Sequence, residues 1–270
     1  MRLRKPGAAR LRLPVRAVPG MVARLMSQEI SDAASRCPLM LLPGLDGSGR
    51  LLEPLAAELS RVADCRVMRL PDPTGDYAAL ERWLVAELER TGPCVLLGES
   101  FSGPLVLRVA RCRPDLVRAL VLVATFSRRP RRVPAWVTPL AHALRRLPLR
   151  PGLGLIADSG LAPELRGSLE PAILGLPART LVNRLRSVLR LRDEAEGAPA
   201  PATLVLAATR DRLVPPREQR RLATVVPGAR LVEIPGPHLL AECRTRECAA
   251  AIAEFLAPLS QPPENVQLNT

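Results

Sequence analysis

Aromatic residues are nearly missing from this sequence: Tyr77, Trp83, Trp136, Phe101, Phe126 and Phe255 make up only 2% of its 270 residues. So few rings leave no platform for stacking bases or sugars. No run approaches the ~18 consecutive apolar residues that a membrane-spanning helix needs. The six cysteines (Cys37, Cys65, Cys94, Cys112, Cys243, Cys248) form no C-x-x-C pair and no zinc-like spacing. No metal or other cofactor is therefore expected, and free thiols fit a reducing cytoplasm. Histidine is limited to His142 and His238, and lysine to Lys5.

What the chain has instead is aliphatic bulk and arginine. Its apolar fraction of 47% excludes a disordered chain, and its length suits one larger α/β domain. The formal net charge of +13 is unevenly spread. Residues 1–26 hold seven cations and no acid, residues 127–150 hold seven more and no acid, and the remainder is close to neutral. Two local patches are not the footprint of a nucleic-acid-binding domain. No helix-turn-helix or zinc pattern accompanies them either.

Residues 1–36 read as a basic, disordered arm. It lacks the apolar stretch of a secretory signal, and Pro6, Pro14 and Pro19 would break a transit-peptide helix. Met21 and Met26 leave open an over-long start. Beyond the arm, apolar strand-like runs at 37–43, 65–70, 94–97, 119–124, 203–208 and 230–234 alternate with helical periodicities at 50–60, 76–90, 101–112, 216–225 and 245–256. Alternation of this kind predicts a mostly parallel sheet of about six strands, covered by helices on both faces. Residues 37–126 and 200–259 form this core. Residues 127–199 interrupt it as a helical insert, and residues 260–270 form a polar tail.

The chemistry starts at Gly98-Glu99-Ser100-Phe101-Ser102-Gly103, between a strand and a helix. A turn this tight strains its middle residue and needs small neighbours, lifting a serine hydroxyl to a helix N-terminus. Ser102 stands where the usual G-x-S-x-G pattern has its second glycine. An ordinary capping serine is the plainer alternative. Serine needs a base and the base needs a carboxylate. His238, after the last strand, and Asp211, after the strand at 203–208, both fall at the edge of the sheet where Ser100 sits. His142 reads as a surface residue of the insert. Asp193, Glu194 and Glu196 read as solvated charges.

The order Ser100, Asp211, His238, each following a strand, resembles the α/β-hydrolase superfamily over residues 37–257. Leu42-Pro43-Gly44-Leu45-Asp46-Gly47-Ser48-Gly49 is similar to that fold's oxyanion loop. The resemblance implies an oxyanion hole made by the backbone amides of Leu45 and Phe101. These strings also resemble small bacterial serine hydrolases and the hydrolase-like part of plant phytyl ester synthases. The fold's usual first two strands have no counterpart before Cys37.

The superfamily places a lid where residues 127–199 stand. Trp136, Leu140, Leu144 and Leu147 would share the inward face of a first lid helix, and Leu181, Val182, Leu185, Val188 and Leu189 form a second stripe. An aliphatic roof suits acyl chains, so the expected substrate is a small apolar ester or thioester. Acyl transfer to an alcohol would use the same residues. A non-catalytic scaffold holding an anionic partner is the rival of another class. Arg128, Arg129, Arg131, Arg132, Arg145 and Arg146 could meet an acidic carrier protein, a CoA-linked substrate or an anionic membrane surface, or simply be solvated.

Overall fold

The computed structural model describes residues 37–72, 74–130, 175–195 and 201–260. The chain divides between Arg36 and Cys37 into two units, and every described residue lies in the second. Six strands alternate with helices: β1 (Cys37–Leu42), α1 (Glu53–Leu59), β2 (Ala63–Val67), α2 (Tyr77–Thr91), β3 (Cys94–Glu99), α3 (Ser102–Cys112) and β4 (Val117–Val123). Then follow α4 (Ala178–Arg190), β5 (Ala202–Ala208), α5 (Pro216–Val225), β6 (Arg230–Ile234), α6 (Leu240–Cys243) and α7 (Thr245–Leu256).

All five strand pairings are parallel, in the order β2-β1-β3-β4-β5-β6. The central strands are continuous aliphatic runs because both faces are covered. Period-two alternation divides them between two cores. Met40, Leu42, Leu96, Leu120, Leu122 and Val205 pack with α2, α3 and α5. Leu39, Leu41, Val95, Leu97, Val121, Val123, Leu204 and Leu206 pack with α1 and α7. Each fully buried leucine contributes on the order of 2 kcal/mol. Helix α2 starts where Asp76 accepts a hydrogen bond from the Ala79 amide (3.3 Å), and it buries Leu80, Leu84 and Leu88 at four-residue intervals.

The strand order reverses direction between β1 and β3, whose carboxyl ends lie side by side with Leu42 opposite Gly98. Open α/β sheets place ligands in the crevice beyond such a switch point. The loop after β1 and the turn after β3 are thereby neighbours, although 55 residues separate Gly44 from Glu99.

The second strand lies at 63–67 rather than 65–70. The Met68 amide makes the last bond to β1, on the Leu41 carbonyl (2.9 Å), because β1 ends at Leu42. The Leu70 amide instead donates to the Gly47 carbonyl (2.9 Å). Asp193 and Glu194 are not solvated charges. Glu194 is buried and accepts from Arg108 and Arg111 at 3.0 Å each, while Asp193 pairs with Arg221 and accepts from Ser127 Oγ (2.7 Å). Their partners are far away in sequence, so local composition concealed them. Together they anchor the segment after α4 to the core. Glu196 lies outside the described residues. Among the described residues no helix is long and apolar enough to cross a membrane.

Candidate active site

The turn after β3 holds Ser100 at φ 45°, a left-handed backbone angle rare for serine. Close approach explains its small neighbours. A Cβ on Gly98 would come within 2.7 Å of the Val106 side chain, and one on Gly103 would overlap Thr125. The Thr125 hydroxyl donates to the Ser100 carbonyl and holds the strained residue in place. At the substituted position, the buried Ser102 hydroxyl donates to the Pro43 carbonyl at 2.5 Å. Glycine could not make that bond, which ties the turn to the loop after β1.

Ser100 Oγ lies 2.8 Å from His238 Nε2, and His238 Nδ1 lies 2.7 Å from Asp211 Oδ2. Because the carboxylate can only accept, Nδ1 carries the proton and Nε2 turns its lone pair to the serine. Strands β5 and β6 set this spacing: Ala208 pairs with Ile234, and the Arg210 amide reaches the Gly236 carbonyl at 3.0 Å. Asp211 Oδ1 accepts from the Leu213 and Val214 amides at 2.8 Å each, and Oδ2 also accepts from Gln219 Nε2 at 2.8 Å. Burial pulls the His238 pKa down. The charge of Asp211 and its hydrogen bond outweigh this, with help from the charge of Glu99, and the net shift is upward.

Leu45, Ser100, Phe101 and His238 line an apolar cavity of about 120 Å³ together with Phe126, Leu185 and Val188. Among the described residues, no acceptor pairs with the backbone amides of Leu45 or Phe101. Leu185 and Val188 come from α4, the second stripe of the insert. Trp136, Leu140, Leu144 and Leu147 lie outside the described residues, as do His142, Arg131, Arg132, Arg145 and Arg146. Arg129 is exposed. Arg128 is not an unengaged cation: its Nε sits 3.0 Å from the buried Glu218, which needs a positive partner there. A larger cleft of about 570 Å³ on another face of α4 includes Arg108, Arg186, Arg190 and Arg192, but none of the three triad-like residues.

Several positioning groups carry no local sequence signal. Arg184 is buried to 1% exposure, donates to the Leu45 carbonyl at 2.8 Å and lies 6.0 Å from the Phe101 ring centre. Tyr77 stacks on that ring and donates to the Phe101 carbonyl at 2.8 Å. Gln219, also buried, donates to Asp211 and to the Val214 carbonyl and accepts from the Ala208 amide, each at 2.8 Å. Gln219→Ala strands buried polar groups, so it is expected to cost ~1–3 kcal/mol in chemical unfolding. Its loosened Asp211 should lower kcat more than it raises KM in steady-state kinetics.

Cysteine is a poor alternative nucleophile here. Burial, with the charge of Asp64, pushes the Cys65 thiol up to about 11, and burial with the charge of Glu242 raises Cys243 to about 11 and Cys248 to about 12. Among the described residues, no group of three His, Cys, Asp or Glu side chains could hold a metal ion.

Residues 22–252 match the sequence profile of a family described as the alpha/beta hydrolase family. The polyketide synthase ThaQ of Burkholderia thailandensis is 30% identical over 224 residues, covering 73% of this chain. The match spans only 11% of that protein's length. Among solved structures, the enol-lactonase from Burkholderia xenovorans LB400 superposes with a TM-score of 0.72 at 18% identity, covering 82% of this chain and 92% of that one. A thermophilic esterase from Thermogutta terrifontis gives 0.70 at 23% identity, covering 83% and 91%. A bromoperoxidase from Bacillus anthracis gives 0.70 at 18%, covering 82% and 92%. At these identities the likeness concerns the fold.

Proposed function

The chain belongs to the alpha/beta hydrolase family, and from that premise we propose that it is a serine hydrolase acting on an ester or thioester with an apolar acyl group. The observation that carries this reading is the continuous line from Ser100 Oγ through His238 to Asp211, with contacts of 2.8 and 2.7 Å. Ser100 Oγ attacks the acyl carbonyl as its proton passes to His238 Nε2. Asp211 holds the imidazole in register and balances the imidazolium. The amides of Leu45 and Phe101 donate to the oxyanion. As the intermediate collapses, His238 returns the proton to the departing alcohol or thiol. Water then gives a proton to His238 and attacks the acyl-enzyme, the acid leaves, and Ser100 recovers its proton. With an alcohol in place of water the same steps transfer the acyl group. The aliphatic cavity fits an acyl substrate, and the free thiols fit a cytoplasmic enzyme.

A carrier-borne acyl group is the second reading. The likeness to a protein named as a polyketide synthase favours it, as does the cleft beside α4, where a phosphate or an acidic surface would meet Arg190 and Arg192. The test is hydrolysis of p-nitrophenyl esters from acetyl to dodecanoyl, beside the matching acyl-CoA thioesters. An optimum at one chain length is expected, and faster thioester turnover that falls with added salt would favour the carrier. No turnover of any ester or thioester would leave a non-catalytic scaffold holding an anionic partner.

A further inference from the structure

Two acids beside the triad-like residues have no part in the mechanism above. Glu99 precedes Ser100 at the end of β3 and is 3% exposed; Glu242 lies in α6, four residues after His238, and is 7% exposed. Glu99 Oε2 accepts from the Gly44 amide at 3.3 Å. Neither oxygen of Glu242 has a donor among the described residues, and both are shut off from solvent. An ionised carboxylate in that position loses its solvation with nothing to replace it. Both acids line the same small cavity, and among the described residues the side-chain hydrogen bond open to each is to the other. Two carboxylates cannot bond to each other, whereas one proton between them makes a strong O–H···O⁻ bond.

We infer that Glu99 and Glu242 share a proton, and that this bond ties the oxyanion loop at Gly44 to the helix that follows His238, making both acids positioning residues. What the tie positions rests on the serine-hydrolase reading; the proton itself does not. The surroundings reinforce it. Burial, then the charges of Glu242 and Asp46, hold Glu99 well above the ordinary carboxylate range. Burial, helped by the charge of Asp46, raises Glu242 to about 7. Asp46 is itself held by the Ser48 amide and hydroxyl, and the charge of Arg184 reaches it from α4. From α6 and α7 the facing groups are the thiols of Cys243 and Cys248, whose raised pKa values keep them neutral. His238 lines the same cavity, and its charge reaches Glu99. When Glu99 finally loses its proton at alkaline pH, two buried charges repel and the tie opens, so activity acquires an alkaline limb that His238 does not supply.

The experiment compares wild type with Glu242→Gln, whose amide donates to an ionised Glu99 at every pH, and with Glu242→Leu, which cannot. Infrared difference spectra should show a protonated carboxyl in wild type at pH values where exposed acids are ionised, and its loss in E242Q. Hydrogen exchange at residues 44–48 should be about tenfold faster in E242L than in E242Q. In pH–rate profiles the alkaline limb should move up by about one unit or more in E242Q. In E242L, kcat should fall by about tenfold with KM little changed. Absence of the protonated carboxyl in wild type overturns the shared proton. Alkaline limbs and exchange rates that coincide in all three proteins overturn the tie. If no hydrolysis is found, the infrared and exchange measurements still decide the inference while the hydrolase reading fails.

Discussion

Ser100→Ala is expected to abolish labelling by a fluorophosphonate probe and to lower kcat for ester hydrolysis by ~10⁴–10⁶-fold. The reason is local. The hydroxyl removed is the atom 2.8 Å from His238 Nε2, and no cysteine nearby has a thiol poised to replace it. The variant should still fold, since alanine keeps the Cβ that the turn already accommodates and loses no bond that secures the turn. Those bonds belong to Ser102, to Thr125 and to the backbone: the Ser100 amide donates to the Val123 carbonyl at 3.0 Å. An unchanged melting temperature beside lost labelling is the expected pair of results. Labelling that survives in Ser100→Ala would place the nucleophile elsewhere.

Asp211→Asn should be nearly as damaging, at ~10³–10⁴-fold in kcat, and it carries a second signature. One asparagine oxygen can still accept from the Leu213 and Val214 amides. The amide nitrogen then faces His238 Nδ1 and Gln219 Nε2, both donors in the native arrangement. His238 must shift its proton to Nε2, which turns a donor instead of a base towards Ser100. Losing the carboxylate also removes the main upward influence on the imidazole, leaving burial to lower its pKa. In wild type the raised value means that activity grows with pH through a point above histidine's ordinary range. In Asp211→Asn this acid limb should move to lower pH while the plateau falls, which a kcat/KM profile from pH 4 to 9 would resolve. An acid limb that stays in place would mean that Asp211 does not govern His238.

Each chemical group of the site is announced locally in the sequence. A strand, a tight turn of small residues and a helix surround Ser100. Asp211 follows a buried aliphatic strand and His238 follows the short edge strand beside it, which places both at one end of the sheet. Ser102 reads locally as a departure from a glycine pattern, and only the fold brings its hydroxyl to the Pro43 carbonyl. Glu194 reads locally as a solvated charge, and nothing local singles out Arg184. Their burial depends on partners at Leu45, Asp72, Arg108 and Arg111, far away in the chain.

The sequence by itself determined the six parallel strands, the helices between them and the identity of the three residues that meet beyond the sheet. Hydrophobic periodicity and turn chemistry are local properties, and chain order with parallel pairing leaves few arrangements. Tertiary structure alone decided what surrounds those residues: the four donors on Asp211, the clamp of Arg184 and Tyr77 on the loop and turn, and the burial of Glu99 and Glu242 beside one cavity. Desolvation is the physical reason. A carboxyl's behaviour depends on how much water it has lost and which charges remain beside it, and both are set by elements brought together from opposite ends of the chain.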